Sequence, residues 1–256
     1  MHQVSAVLIT KNEEKNIGKT LTALATVADE IIVVDNHSTD ATAEICRSFG
    51  AKVFLSAWRG YGPQKNYGIQ QASFENIIAV DADEVLSGEA IKEIEQLKEN
   101  GFRGVYELPL KNYYFGKFLR RKDYKKRIFN KNDVQWNNNE VHEALVIPGN
   151  YPVIKLQGLI QHYSYHSIEQ YLAKSNLYSG IAARELFDKN KKGYLAKMLF
   201  SPGYTFFQSY ILKAGFMDGW HGFVVAWLNS YTSFLKYAKL WELCRQQNNQ
   251  DKKPVL

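Results

Sequence analysis

Short apolar runs alternate with helix-period stretches over roughly the first 90 residues of this 256-residue chain. Residues 4–10 (VSAVLIT), 30–34, 52–55 and 77–80 are brief, rich in β-branched side chains and largely free of polar alternation, which predicts buried strands of a parallel sheet. Between them, residues 16–26 place Ile17, Leu21 and Leu24 at helical spacing, and residues 41–49 and 64–72 read as two further helices. Ser38 or Thr39 is expected to cap the second helix, with Asp40 near its positive end and Gly50 stopping it. The β-α-β-α-β-α-β order predicts an α/β fold, a Rossmann-like, mostly parallel sheet with right-handed crossovers and helices on both faces. Such sheets bind ligands beyond the carboxyl ends of their strands. The polar residues collect there, at 10–14, 35–40 and 81–84.

The strand at 77–80 delivers Asp81, Asp83 and Glu84 to that edge. Two apart on an extended chain, Asp81 and Asp83 are expected to point the same way, and the small Ala82 lets a ligand come close. Clustered carboxylates repel one another unless a cation sits between them. Hard oxygen ligands suit Mg2+ or Mn2+ held together with substrate phosphates. The plain alternative is a strand end whose solvated acids cap the helix expected over 87–100.

Further on, residues 104–110 predict a strand and Tyr113-Tyr114-Phe115-Gly116 an aromatic loop. The basic run 120–127 reads as a solvated face close in sequence to the acids, followed by a short strand at 128–129. A strand at 156–160 leads into His162-Tyr163-Ser164-Tyr165-His166, and Ser167 caps a helix over 168–190. From 194 to 243 aromatic and apolar residues dominate, interrupted by Lys197, Lys213, Lys236 and Lys239. Two or three helices are expected there, over 194–213 with a break at Pro202 and over 223–243. Their amphipathic pattern is interfacial, Trp and Tyr at headgroup depth and Lys toward anionic lipid. A helical hairpin packed on its own core or on a second subunit, as in a homodimer, is the alternative. The organisation expected is a catalytic domain over 1–190, a C-terminal helical region over 191–245 and a flexible tail over 246–256.

Composition narrows the class. The net charge of +6 suits nucleotide phosphates or an anionic membrane surface, and the basic run has no recognisable nucleic-acid reading motif. Cys46 and Cys244 form neither a disulfide framework nor a zinc spacing, which agrees with a reducing cytoplasm. The chain opens directly on a strand, so no secretory signal is expected, and no run approaches the ~18 apolar residues of a membrane span.

Together, Val7-Leu8-Ile9-Thr10-Lys11-Asn12-Glu13-Glu14, Val33-Val34-Asp35-Asn36-His37-Ser38-Thr39-Asp40, Gln64-Lys65-Asn66-Tyr67-Gly68 and Asp81-Ala82-Asp83-Glu84 resemble a family 2 glycosyltransferase of the GT-A fold. Val141-His142-Glu143, His162-Tyr163-Ser164 and the helices around GFMDG resemble the branch that includes lipopolysaccharide-core glucosyltransferases. The resemblance implies inverting transfer of a sugar, glucose foremost, from a UDP-sugar to a lipopolysaccharide-core or lipid-linked glycan. It also implies a divalent metal, Mg2+ or Mn2+, and a peripheral position on the inner face of the cytoplasmic membrane. It assigns the uridine to Thr10, Asn12, Glu13 and Asp35, although Asp35 is equally suited to capping the next turn. Lys65, after a glycine loop near a helix start, is assigned to the pyrophosphate, or is a solvated lysine. Asp81 and Asp83 match the DxD motif, Asp83 ligating the metal and Asp81 contacting ribose or metal. Glu143 is the leading general base, with Glu140 and Asp123 as rivals. His142 orients the acceptor or the base, and His162 is an additional metal ligand with His166 as competitor.

Two other functions compete. A nucleotidyltransferase also joins an α/β sheet to metal carboxylates, but it usually carries a Gly-rich basic first loop, whereas Lys11-Asn12-Glu13-Glu14 is acidic and lacks glycine. A non-catalytic sugar-nucleotide-binding protein on the same fold is opposed by the retained DxD pair and candidate base.

Overall fold

Strand β1 (Val4–Thr10) is buried along almost its whole length and apolar on both faces, so it must run through the middle of a layered core. It lies between β2 (Glu30–Asp35) and β4 (Asn76–Ala79), parallel to both, and β3 (Lys52–Leu55) flanks β2 in parallel. The connecting helices are α1 (Ile17–Leu24), α2 (Thr42–Ser48) and α3 (Tyr61–Gln70). Val4, Ala6 and Leu8 pack in one apolar layer with Ile17, Leu21 and Leu24, while Val7 packs in the other with Ile32, Ile69 and Ile77. Helix α3 rests directly on the sheet because position 68 is glycine: a Cβ there would meet Val7 Cγ1 at 2.7 Å. The computed structural model describes residues 1–138, 143–190 and 194–250, the side chains of 248–250 excepted. It divides into two compact units, Met1–Asn112 with Lys122–Tyr163, and Tyr113–Arg121 with Ser164 onward.

The chain continues through β5 (Glu84–Leu86), α4 (Gly88–Asn100), β6 (Val105–Tyr114), β7 (Lys117–Asn130), β8 (Gln135–Trp136), β9 (Leu145–Val146), β10 (Val153–Lys155) and β11 (Ile160–Tyr165). The main sheet runs β3-β2-β1-β4-β7-β6-β11-β5, with β10 beside β6. Its first half is parallel as expected, but β7 runs antiparallel to β4 and β11 to β5. Three expectations shift accordingly. Tyr113 and Tyr114 continue β6 instead of forming a loop, and the basic run lies inside a 14-residue strand instead of preceding a two-residue one. The strand expected at 156–160 forms from Ile160 onward. A strand of an antiparallel pair can leave one face in water, so it carries charged side chains without losing its ladder.

In the second unit, α5 (Ile168–Asp188) starts at Ser167, whose hydroxyl accepts from the Gln170 N–H. Helix α6 (Tyr194–Phe207) passes through Pro202 without the expected break, and the disturbance falls later, in a π turn over Gln208–Leu212. Aromatic packing explains its persistence: the Phe206 ring lies against Tyr210, Phe223 and Trp227. Helix α7 (Trp220–Gln250) is longer at both ends than residues 223–243. Its start is set by a close approach, since a Cβ on Gly222 would come within 1.8 Å of the Gly215 carbonyl oxygen. Among the described residues no helix is long and apolar enough to cross a membrane.

One carboxylate ties the parallel strands together. Glu30 on β2 accepts from Ser5 Oγ of β1 at 2.6 Å, from Lys52 Nζ of β3 at 2.8 Å and from Ser73 Oγ at 3.0 Å. Burial opposes the charge, but the hydrogen bonds from Lys52, Ser5 and Ser73 outweigh it and hold the carboxyl at about 2, below its ordinary 4.5. A depressed carboxyl contributes stability that is complete above pH 4.5 and lost as the pH falls toward 2. Urea unfolding across this range should therefore show the gap between the parent and Glu30→Gln closing as the pH drops. A gap independent of pH would show that the charge of Glu30 contributes nothing.

Candidate active site at the strand ends

Thr10 ends β1 opposite Asp35 at the end of β2. Both are buried; Asp35 accepts from the Ser38 N–H at 3.1 Å and from Ser38 Oγ at 2.6 Å. Thr10 Oγ1 has no hydrogen-bond partner among the described residues, which leaves a buried hydroxyl open to a ligand. Asn12 adopts the left-handed conformation, φ +54°, that its side chain tolerates better than most. There its N–H donates to Ser38 Oγ at 2.9 Å and its Oδ1 accepts from the Thr39 N–H at 2.8 Å, locking the two loops together. The Glu13 N–H donates to Thr42 Oγ1 at 2.8 Å, and Glu13 Oε2 accepts from Asn16 Nδ2 at 2.9 Å. The start of α2 is held by Asp40, accepting from the Thr42 N–H at 3.0 Å, and by Glu14, accepting from the Ala41 N–H at 3.3 Å. Ser38 and Thr39, expected in that role, are taken by Asp35 and Asn12.

After β4 the chain does not stay extended. The Glu84 N–H donates to the Asp81 carbonyl at 3.0 Å and closes a turn. Asp81 and Asp83 consequently part, contrary to the expectation that they share a direction. Asp81 meets two cations, Lys65 Nζ at 3.0 Å and Arg127 Nη2 at 2.7 Å. Arg127 also pairs with the buried Glu84, whose other oxygen accepts from the Asp81 N–H at 3.1 Å. Lys65 continues the chain of charges to Glu143 Oε1 at 2.9 Å and lies 4.6 Å from the centre of the Trp136 ring. Both cations are nearly buried, at 6 % and 5 % side-chain exposure. Burial pushes the Asp81 carboxyl up, but Arg127 and Lys65 hold it well below the usual carboxylate range. Helix α3 begins at Tyr61, three residues before the expected 64, so Lys65 sits in its second turn, away from the free amides of the helix start.

Asp83 turns instead to β11, where its Oδ2 lies 3.2 Å from His162 Nε2. The register His162↔Glu84 and the Tyr163 N–H, donating to the Asp83 carbonyl at 2.9 Å, fix that approach. On the other side of the ring, His162 Nδ1 lies 2.8 Å from Asn112 Oδ1, and Asn112 Nδ2 donates to Asp123 Oδ2 at 3.1 Å. Burial lowers the affinity of His162 for a proton, but the bond to Asp83 and the charges of Asp83, Glu84 and Asp81 raise its pKa above the ordinary histidine value. His166 belongs to the second unit, its ring 5.7 Å from that of Tyr113. Glu140 and His142 lie outside the described residues.

Among the described residues no three His, Cys, Asp or Glu are gathered as a ready ligand set. Asp83 and His162 nonetheless suit a divalent cation as a pair. Adjacent ligands of an octahedral ion at ~2.1 Å stand about 3 Å apart, close to their 3.2 Å. Two protein ligands completed by phosphate oxygens and water is the usual arrangement for such ions. Asp81 is already balanced by two cations.

Arg127, Trp136 and Asn112 enter the site without having been singled out by type. Arg127 was legible in part: it is the last cation of the run, abutting the apolar Ile128-Phe129, where a strand turns inward.

The fold is a mixed α/β sheet with polar side chains gathered at its strand ends. A family model described as Glycosyl transferase family 2 matches residues 5–146. An uncharacterized glycosyltransferase of Rickettsia bellii is 34 % identical over 96 % of this chain and 88 % of its own length. The lipopolysaccharide core biosynthesis glycosyltransferase LpsC of Rhizobium meliloti is 28 % identical over 93 % of this chain and 92 % of its own length. The crystal structure of S. aureus TarS 1-349 aligns with a TM-score of 0.48 at 17 % identity, over 96 % of this chain and 92 % of that one. The family match over more than half of the chain and the Rickettsia bellii relative show that the chain belongs to glycosyl transferase family 2.

Removing Arg127 tests how far the site rests on it. Arg127→Leu leaves Glu84 buried without its counter-charge and should cost about 3–5 kcal/mol in urea unfolding. A loss near zero would show that Glu84 finds another partner.

Proposed function

We propose that the chain is an inverting, metal-dependent hexosyltransferase that moves a sugar, glucose foremost, from a UDP-sugar to a lipopolysaccharide-core or lipid-linked glycan. Family membership supports the transfer. The observation that carries the rest is the division of labour at the end of β4: Asp81 faces two buried cations and Asp83 faces an imidazole. The acceptor class is supported by the likeness to LpsC.

In this reading Asp35 and the unpartnered Thr10 hydroxyl hold the nucleoside, and Asn12 and Glu13 keep their loops in register. Lys65 offers its charge to the diphosphate. A divalent ion, Mg2+ or Mn2+, held by Asp83 and His162 with Asp81 alongside, would supply charge neutralisation on the leaving diphosphate. Glu143 takes the proton of the acceptor hydroxyl as its oxygen bonds the anomeric carbon. The bond from that carbon to the phosphate oxygen breaks, and its electron pair leaves with UDP. Attack from the side opposite the leaving group inverts the anomeric centre. His142, outside the described residues, keeps the role the family resemblance implies, orienting the acceptor or the base.

Glu143→Gln should bind the UDP-sugar with the parent's Kd yet transfer ~10²–10⁴-fold more slowly. Asp83→Ala and EDTA should each abolish UDP release. Full transfer by Glu143→Gln would remove the base from the mechanism, and indifference to both Asp83→Ala and EDTA would remove the metal.

The second unit supports a membrane-surface acceptor. Phe200 and Trp220 are 75 % and 78 % exposed, and Leu199, Tyr204 and Leu212 are also open to solvent. Between residues 194 and 235 the charged residues are Lys197, Lys213 and Asp218. Asp218 is buried, 3.7 Å from Lys117 and accepting from the Arg120 N–H. The exposed surface of this stretch is thus apolar with cations, the combination that seats on anionic lipid. The double substitution Phe200→Ser with Trp220→Ser should lower partitioning onto vesicles rich in phosphatidylglycerol by about tenfold or more, since each buried aromatic side chain contributes roughly 1.5–3 kcal/mol. Unchanged partitioning with a changed oligomeric state would assign the surface to a second subunit.

A further inference from the structure

We propose that Asn112 on β6 and Asp123 on β7 are positioning residues: together they fix the ring of His162 so that Nδ1 carries the proton and Nε2 presents its lone pair beside Asp83. The inference rests on the reading of Asp83 and His162 as metal ligands; it adds Asn112, which no motif of the chain marks, and gives Asp123 a role other than that of a rival base.

An ionised carboxylate only accepts, so Asp123 Oδ2, 3.1 Å from the Asn112 amide, is met by its NH2 end. That choice turns Asn112 Oδ1 toward the imidazole, 2.8 Å from Nδ1. An amide oxygen also only accepts, so Nδ1 must donate. In a neutral ring with the proton on Nδ1, the lone pair is on Nε2, 3.2 Å from Asp83 Oδ2. While the ring is an imidazolium, Nε2–H donates to Asp83; once that proton leaves, the Nε2 lone pair and the carboxylate oxygen stand where they can share a cation. The carboxylate at the far end of the relay thus decides which nitrogen is offered at the near end. Histidine ligands are commonly oriented this way by a second hydrogen bond, and its loss typically weakens metal binding ~10–100-fold.

The test is a reciprocal exchange of the two side chains. Asn112→Asp alone sets two carboxylates against each other. Asn112→Asp combined with Asp123→Asn restores every bond, because the new carboxylate accepts from His162 Nδ1 and from the new amide. Mn2+ binding followed by electron paramagnetic resonance, in the presence of UDP, should weaken ~10–100-fold in Asn112→Ala and in Asn112→Asp. It should return toward the parent in the double variant. Nitrogen-15 spectra of the metal-free protein, labelled at histidine and recorded at alkaline pH where the ring is neutral, should show the Nδ1–H form of His162 in the parent and the double variant. Asn112→Ala should lose it. Equal Mn2+ affinity in parent and Asn112→Ala, or an Nε2–H form in the parent, would overturn the proposal. Should the parent bind no Mn2+, the metal reading fails instead, and the spectra alone decide: Nδ1–H upholds the positioning role and Nε2–H refutes it.

Discussion

The guanidinium of Arg127 is the charge around which the strand-end site is built. Three carboxylates within four residues at the end of a buried strand cannot be desolvated together without a counter-charge. Arg127 meets two of them through one nitrogen, Nη2, which lies against both Asp81 and Glu84. This demand constrains the topology. β7 pairs with β4 in the register Ile78↔Ile128, so the next residue along β7, Arg127, emerges opposite the carboxyl end of β4. The antiparallel insertion in an otherwise parallel half of the sheet is what brings a cation to the acids.

Lys65 extends the same principle toward Glu143. A buried lysine is costly in isolation, but this one has two carboxylates and an indole face within reach. Its helix is pressed onto the sheet by the missing side chain at Gly68, which sets the depth at which the ammonium lies. Glu143 is reached from α3 across 78 residues of sequence, so a single contact joins it to Lys65.

Much of this was legible in the order of apolar runs. β1, β2, β3 and β4, with the helices between them, follow from strand-length and helix-period patterns, and the acids at their carboxyl ends follow from where each run stops. What local pattern could not supply is pairing between distant segments. The basic run of β7 reads as solvated because Arg120, Arg121, Lys122 and Lys125 are indeed exposed; the inward turn at Arg127 depends on β4, some fifty residues earlier. The divergence of Asp81 and Asp83 was missed because their spacing assumes an extended chain, whereas a carbonyl at the end of a strand is free to close a turn. Pro202 reads as a stop because it removes one helical hydrogen bond, yet ring packing along α6 and α7 outweighs that loss.

The charges themselves argue for the last component. Asp81, Asp83, Glu84 and Glu143 face two permanent cations, Lys65 and Arg127. Asp81 and Glu84 share the guanidinium, and Glu143 and Asp81 share the ammonium, which leaves Asp83 dependent on an imidazole whose own charge is conditional. Of the four carboxylates, Asp83 alone is answered by a group that also coordinates metals. A turn that separated Asp83 from Asp81 without giving it a permanent partner has left a negative charge beside the strand edge where ligands of parallel sheets bind. On the proposed reading, a cation arriving with a diphosphate would meet that deficit, and the buried pairs around it would not have to be rearranged to receive it.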